Sequence, residues 1–148
     1  MLFKSNKKKG FTLIEIVIVL AIFGILSTTL VATLKNLKQS NKIETTMILV
    51  EESVFRAKIL SIGQYQDDGW GVNFSTGEII VFKGNSFAGR DQGFDEIIGV
   101  SSDVTFTNTT EFIFDAFTGE PQSTGIVTIN LDGDSKDLSV NEKGQISF

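Results

Sequence analysis

An α+β fold, with one long N-terminal helix packed on a small antiparallel β-sheet head, is predicted by three features of this 148-residue sequence. An apolar run starting at Phe11 passes into an amphipathic stretch that ends at Ile62, with no Gly or Pro between Gly24 and Gly63. Beyond Gly63 the chain breaks into short segments rich in Thr, Val, Ile and Phe, separated by Gly, Asn and Asp. Charge divides at the same places: +4 over residues 1–10, −1 over 11–34, +2 over 35–62 and −10 over 63–148, for a net −5. Four parts follow: a basic leader over 1–10, an apolar helix over 11–34, its amphipathic continuation over 35–62, and a β-rich head over 63–148.

Composition removes whole classes of chemistry. With no Cys and no His, disulfides, thiolate metal sites, Cys nucleophiles, His-based triads and His/Cys zinc sites are all excluded. Catalysis on Ser, Lys, Asp or Glu alone stays chemically open, but no motif asks for it and nothing calls for a cofactor.

The apolar run, FTLIEIVIVLAIFGILSTTLVATL over 11–34, would extend ~36 Å as a helix, enough for a hydrocarbon core of ~30 Å. The hydroxyls of Thr12, Ser27, Thr28, Thr29 and Thr33 can bond to carbonyls one turn earlier and so tolerate lipid. A secretory signal would have a shorter apolar core and a small-x-small cleavage site, for which Leu30-Val31-Ala32 is a poor candidate. A plain signal anchor leaves Glu15 unexplained. A lone carboxylate in hydrocarbon costs ~2.5–3.5 kcal/mol, although this one could reach back to the interface.

The preceding residues supply the explanation. Lys7-Lys8-Lys9-Gly10-Phe11-Thr12-Leu13-Ile14-Glu15 resembles the leader junction of type IV prepilins and type II secretion pseudopilins. The resemblance implies a pilin-like fold and cleavage by a membrane prepilin peptidase/methyltransferase between Gly10 and Phe11, followed by N-methylation of Phe11. Lys7, Lys8 and Lys9 would hold the site on the cytoplasmic side. In assembly Glu15 would pair with the Phe11 amine of a neighbouring subunit, which offsets the desolvation of both ions and sets axial register. The implied partners are other pilin or pseudopilin subunits, inner-membrane lipid and an assembly platform. Many major pilins kink this helix with proline, whereas the only proline here is Pro121.

Over 35–62, Ile43, Met47, Val50, Val54 and Ala57 recur at steps of three and four, and Ile48, Phe55, Ile59 and Ile62 are expected to widen the stripe. Lys42, Glu44, Glu51, Glu52, Arg56 and Lys58 lie mostly off it. A coiled coil is the rival arrangement, but Lys35, Lys38 and Lys42 make a weak seam, so the stripe is expected to pack on the chain's own sheet. Strands are predicted at 70–74, 78–83, 104–107, 111–114, 125–131, 137–140 and 145–148. Turns or loops are expected at 75–77, 84–93, 108, 119, 132–133 and 142–144. Nine of the 13 Phe lie beyond residue 62 and are read as core of the head. GWGVNF at 69–74, FDAFTGEP at 114–121 and the closing 144–148 segment resemble the H-type minor pseudopilins and their pilus counterparts.

Candidate chemistry in the head is sparse. Asp132, Asp134 and Asp137 could offer oxygen ligands to Ca²⁺, although Asp132-Gly133 reads more simply as a hairpin turn; Asp67-Asp68-Gly69 is read the same way. GNSFAG at 84–89 lacks both the glycine spacing of a nucleophile elbow and a His to activate Ser86. Gly69-x-Gly71 never completes a dinucleotide fingerprint. Lys83 and Arg90 flank one loop and could form a local patch, but four bases among 14 acids argue against nucleic acid as a partner. The expected function is that of a structural subunit of a type IV pilus or type II secretion-like filament, in the inner membrane and then in an extracytoplasmic filament. The alternative is a membrane-anchored extracellular ligand- or DNA-binding module.

Overall fold

The computed structural model describes residues 10–63 and 68–148, with the side chains of 28–36 outside that description. One helix, α1 (Leu13–Ile62), precedes eight strands: β1 (Trp70–Ser75), β2 (Glu78–Lys83), β3 (Asp91–Gly99), β4 (Thr105–Asn108), β5 (Glu111–Phe114), β6 (Gly125–Leu131), β7 (Asp134–Val140) and β8 (Ile146–Ser147). The chain divides into two compact units, residues 1–38 and 39–148.

In the first unit, α1 is apolar all round: Leu13, Ile14, Val17, Leu20, Phe23 and Leu26 are exposed. Ser27 Oγ donates to the Phe23 carbonyl at 2.7 Å, the back-bond expected of a hydroxyl in such a helix. Among the described residues no helix is long and apolar enough to cross a membrane. The expected span over 11–34 is therefore not supported. The α1 backbone continues through this segment, but within it only the side chains up to Ser27 are described. The side chains of 28–34, Thr28, Thr29 and Thr33 included, lie outside the described residues.

In the second unit the amphipathic part of α1 packs with two four-stranded antiparallel sheets, ordered β3-β2-β1-β5 and β4-β6-β7-β8, where a single small sheet was expected. Ile43, Met47, Val50, Val54 and Ala57 are all buried and join Trp70, Val72, Phe74, Ile79, Phe112, Phe114, Val127, Ile129 and Leu138 in one core. Each of these larger side chains contributes ~1.5–3 kcal/mol by leaving water. Polar residues on the same stripe are satisfied within the helix: Thr46 Oγ1 donates to the Lys42 carbonyl at 2.9 Å and Ser53 Oγ to the Leu49 carbonyl at 2.6 Å.

The stripe is narrower than expected. Ile48, Phe55, Ile59 and Ile62 are 42–57% exposed. At ~100° per residue they sit ~130° around the helix from the core positions, on the face turned away from the sheets.

Sheet β3-β2-β1-β5 is also covered on its far side. Ile80, Phe82 and Ile113 form a second cluster, and Phe87 from the 84–90 loop packs on it. Phe82 lies across Gly71, where a Cβ would come within 2.5 Å of its ring. The loop is pinned by Arg90, whose Nε bonds both Asp95 carboxylate oxygens at 3.1 and 2.9 Å while its guanidinium stacks 3.8 Å from the Phe87 ring centroid.

Several expected boundaries move. The loop expected over 84–93 ends at Arg90, β3 begins at Asp91, and β3 itself was not expected. The strand expected over 137–140 starts at Asp134, and the closing strand shortens to Ile146–Ser147. Of the nine Phe assigned to the head core, Phe117 and Phe148 are 57% and 72% exposed. The hairpin turn at Asp132-Gly133 forms as expected: both residues have positive φ, 49° and 92°, between the paired Leu131 and Asp134.

Ser61 joins the end of α1 to the sheet. Its Oγ accepts from the Trp70 N–H at 3.0 Å and donates to the Phe114 carbonyl at 3.1 Å, while its carbonyl accepts from the Phe117 N–H at 3.0 Å.

Candidate functional site

Gly10, Phe11 and Thr12 precede the first helical residue, Leu13, and are all exposed. A Cβ added at Gly10 would meet nothing within 4 Å. The Gly10–Phe11 peptide bond thus lies in open, non-helical backbone, the form in which a protease can engage a chain. Lys7, Lys8 and Lys9 lie outside the described residues.

Glu15 is in the first turn of α1 and folds back on Thr12. Its Oε2 accepts from the Thr12 N–H at 3.3 Å and from the Thr12 hydroxyl at 3.4 Å, and its own N–H donates to Thr12 Oγ1 at 3.4 Å. These long, reciprocal bonds make a capping box, Thr12 at the N-cap and Glu15 three residues on, with the carboxylate near the positive end of the helix dipole. Beyond the expected reach to the interface or to a cation, Glu15 thus has a partner in Thr12, which the Thr-x-x-Glu spacing signals in the sequence. The arrangement gives Glu15 a local role in starting the helix and leaves the whole group accessible to an outside partner.

The three candidate calcium ligands are spread rather than gathered. Asp132 sits in the hairpin turn. The Asp134 carboxylate accepts from Gln39 Nε2 at 3.1 Å, and Asp137 Oδ1 accepts from the Thr128 hydroxyl at 2.6 Å. Positions 134 and 137 of a strand point to opposite faces, which separates them. Among the described residues no three of Asp and Glu are grouped so as to hold a metal ion. Asp68 accepts from the Gly69 N–H at 2.9 Å, and Asp67 lies outside the described residues. Ser86 Oγ accepts from the Gly89 N–H at 3.1 Å and shapes the 84–90 loop. Lys83 and Arg90 do not form a shared patch: Lys83 lies over the Phe94 ring and Arg90 is engaged by Asp95 and Phe87.

Charged residues otherwise tie α1 to the head. Arg56 grips Glu96 of β3 through Nε and Nη2, the Nη2 to Oε1 contact being 2.7 Å, Lys42 meets Asp103 in the turn before β4 at 2.7 Å, and Lys136 of β7 bonds Glu44. The hydrogen bond from Arg56 holds the Glu96 carboxyl below its ordinary range, and that from Lys42 does the same for Asp103.

An exposed Gly10–Phe11 bond is thus followed at once by a capped, largely apolar helix. A family model described as the prokaryotic N-terminal methylation motif matches residues 5–31. The chain therefore carries a class III leader of the pilin and pseudopilin type, and its N-terminal segment is that of a structural, pilin-like subunit. No curated protein and no solved structure shows significant similarity to it.

Proposed function

We infer that the chain is a minor pilin or pseudopilin, a subunit of a type IV pilus or type II secretion-like filament. It is made as a precursor in the inner membrane with its leader in the cytoplasm and its head outside. Prepilin peptidase removes residues 1–10 and methylates Phe11. The mature subunits then assemble through their N-terminal helices at an assembly platform.

The observation that carries this reading is the methylation-motif match over 5–31, laid on a backbone in which Gly10 and Phe11 are exposed just outside the helix. Cleavage there leaves an ammonium on Phe11, and Glu15, one turn into α1, is the nearest carboxylate in the sequence. Pairing it with the amine of a neighbouring subunit neutralises both charges among apolar helices and penalises other axial staggers. The assignment to the minor class rests on the likeness of 69–74 and 114–121 to H-type subunits. The first of these segments covers most of β1, and the second runs from the end of β5 through the loop over the end of α1.

N-terminal sequencing of the protein from cells with an intact prepilin peptidase is expected to begin at a methylated Phe11. A start at Met1, or near Thr33, would overturn the reading. Glu15→Ala should be cleaved normally and fail to assemble; normal filaments from that variant would remove the pairing mechanism.

A further inference from the structure

Sheet β4-β6-β7-β8 is unfinished along one edge. Strand β7 has seven residues, but β8 pairs only with Ser139 and Val140. The Asn141 N–H donates to the Gln145 carbonyl on the β8 side at 3.1 Å, and the Thr109 N–H donates to the Ile126 carbonyl on the β4 side at 2.9 Å. Backbone groups alternate sides along an antiparallel strand, so both bonds fix the same phase: even residues of β7 bond to β6, and the N–H and C=O of Ser135 and Asp137 point away from it. Among the described residues no backbone group of another segment meets them. The β5 edge of the other sheet, by contrast, is closed by the Phe114–Pro121 bridge and by the Gln122 N–H on the Ile113 carbonyl. A row of unpaired donors and acceptors on β7 is a template for one more strand.

Beside this edge lies a groove of about 510 Å³, walled by Met47, Ile48 and Glu51 of α1, by Lys136 and Asp137 of β7, and by Phe148. Lys136 is turned to α1 and held there by Glu44, so it does not cover the strand edge. Continuing the β7–β8 register sets Phe148 opposite Leu138 and leaves the places opposite Asp137, Lys136, Ser135 and Asp134 free for an added strand. A residue opposite Lys136 faces α1 and enters the groove over Met47 and Ile48, whereas residues opposite Asp137 and Ser135 lie on the outer face beside the Asp137 carboxylate. Glu51, Asp134 and Asp137 form no ion pair among the described residues. Register and charge together define the occupant: an extended segment that alternates apolar residues with Lys or Arg. The −10 carried by residues 63–148 disfavours a second copy of the same head in that place.

We propose that the open edge of β7, Asp134–Asp137, receives a basic, alternating strand from a different subunit of the filament, running in the direction of β8. The contact rests on the reading of the chain as a minor filament subunit, whose neighbours are other polypeptides. It adds backbone pairing between heads to the register set by Glu15.

Amide hydrogen exchange, measured residue by residue on the wild-type chain alone and in filaments, tests the pairing directly. Exchange at Ser135 and Asp137 is expected to slow at least about tenfold in filaments. The Phe106 amide, which the Thr109 bond aims from β4 to the opposite edge of the same sheet, should not slow. No slowing at 135 and 137, or equal slowing at Phe106, would overturn the proposal. Ser135→Pro deletes an outward N–H while sparing the β6 ladder, and should cut filament yield about tenfold with head melting unchanged, whereas Ser135→Ala should keep it. Normal filaments from folded Ser135→Pro protein would also overturn the pairing, and the exchange comparison, made on wild type, decides it whatever this variant does to folding. A benzophenone photocrosslinker placed at position 137 should join, in filaments, an extended Lys- or Arg-bearing segment of a different subunit. An adduct to a second copy of the chain, or to a helix, would refute the assigned occupant. These outcomes overturn the edge pairing and leave the assembly reading standing. A cleaved wild-type chain that never enters a filament would overturn the assembly reading, and the pairing with it.

Discussion

The two ends of α1 are built from similar residues and treat them in opposite ways. Ile14, Val17, Leu20 and Phe23 stand exposed, whereas Ile43, Met47, Val50, Val54 and Ala57 are at most 6% exposed. Helix propensity does not separate them. The second group finds sheets from its own chain to exclude water. The first has no such partner among the described residues, and at ~25 cal/mol per Å² its surface carries a large driving force toward lipid or other helices. The stability of the fold is thus concentrated in residues 39–148, while the apolar end serves the proposed assembly.

That contrast is broken most sharply by placing the same charge at both ends. Val54→Asp puts a carboxylate at a position with no exposure and should cost at least about 4 kcal/mol, enough to unfold the head as read by circular dichroism and proteolysis. Ile18→Asp, 52% exposed, should leave head melting unchanged and abolish filaments. Equal loss of head structure in both variants would refute the division of labour. The loop over the end of α1 should be the next most sensitive point. Gly119 has φ 65°, and a Cβ there would come within 2.4 Å of Ile62 Cγ1, so Gly119→Val should cost about 2–3 kcal/mol in denaturant unfolding. Ser61→Ala removes the buried hydroxyl that links the Trp70 N–H to the Phe114 carbonyl and should cost about 1–3 kcal/mol by the same measurement.

Smaller effects sharpen the contrast. Thr12→Ala removes the N-cap and should cost about 1 kcal/mol, seen as faster amide exchange in the first turn of α1 with head protection unchanged. The acid limb of stability has a source in two ion pairs of the head. Glu96 and Asp103 are held below their ordinary values of 4.5 and 3.8, so their contribution is present above those values and is lost as pH falls through the lower folded values. Melting temperature should therefore decline from about pH 5 downward. Glu96→Gln should flatten that decline while costing no more than about 1 kcal/mol at neutral pH, because both partners are well exposed.

Much of this was legible residue by residue. The five buried positions of α1, the β6–β7 turn at Asp132-Gly133 and the motif from Lys7 to Glu15 each carry a local signal: a period, a pair of turn residues, a basic run before Gly-Phe. Strand β3 carried none. In 91–99 the core-facing Phe94 and Ile98 flank Glu96, and a charge between two inward positions destroys the alternation that marks a half-buried strand. Arg56, forty residues earlier, is what makes Glu96 tolerable there. Position 97 misleads in the other direction, since Ile97 is 63% exposed.

The sequence by itself determined the long helix, the antiparallel head and the N-terminal methylation motif, because each depends on neighbours a few residues apart. Tertiary structure alone decided that the strands split into two sheets, that β3 exists, that Ile48 and Phe55 face outward, and that the candidate calcium ligands separate onto two faces of a strand. Those outcomes depend on which distant side chain satisfies a charge and which face of a helix meets a sheet, and local pattern does not encode either.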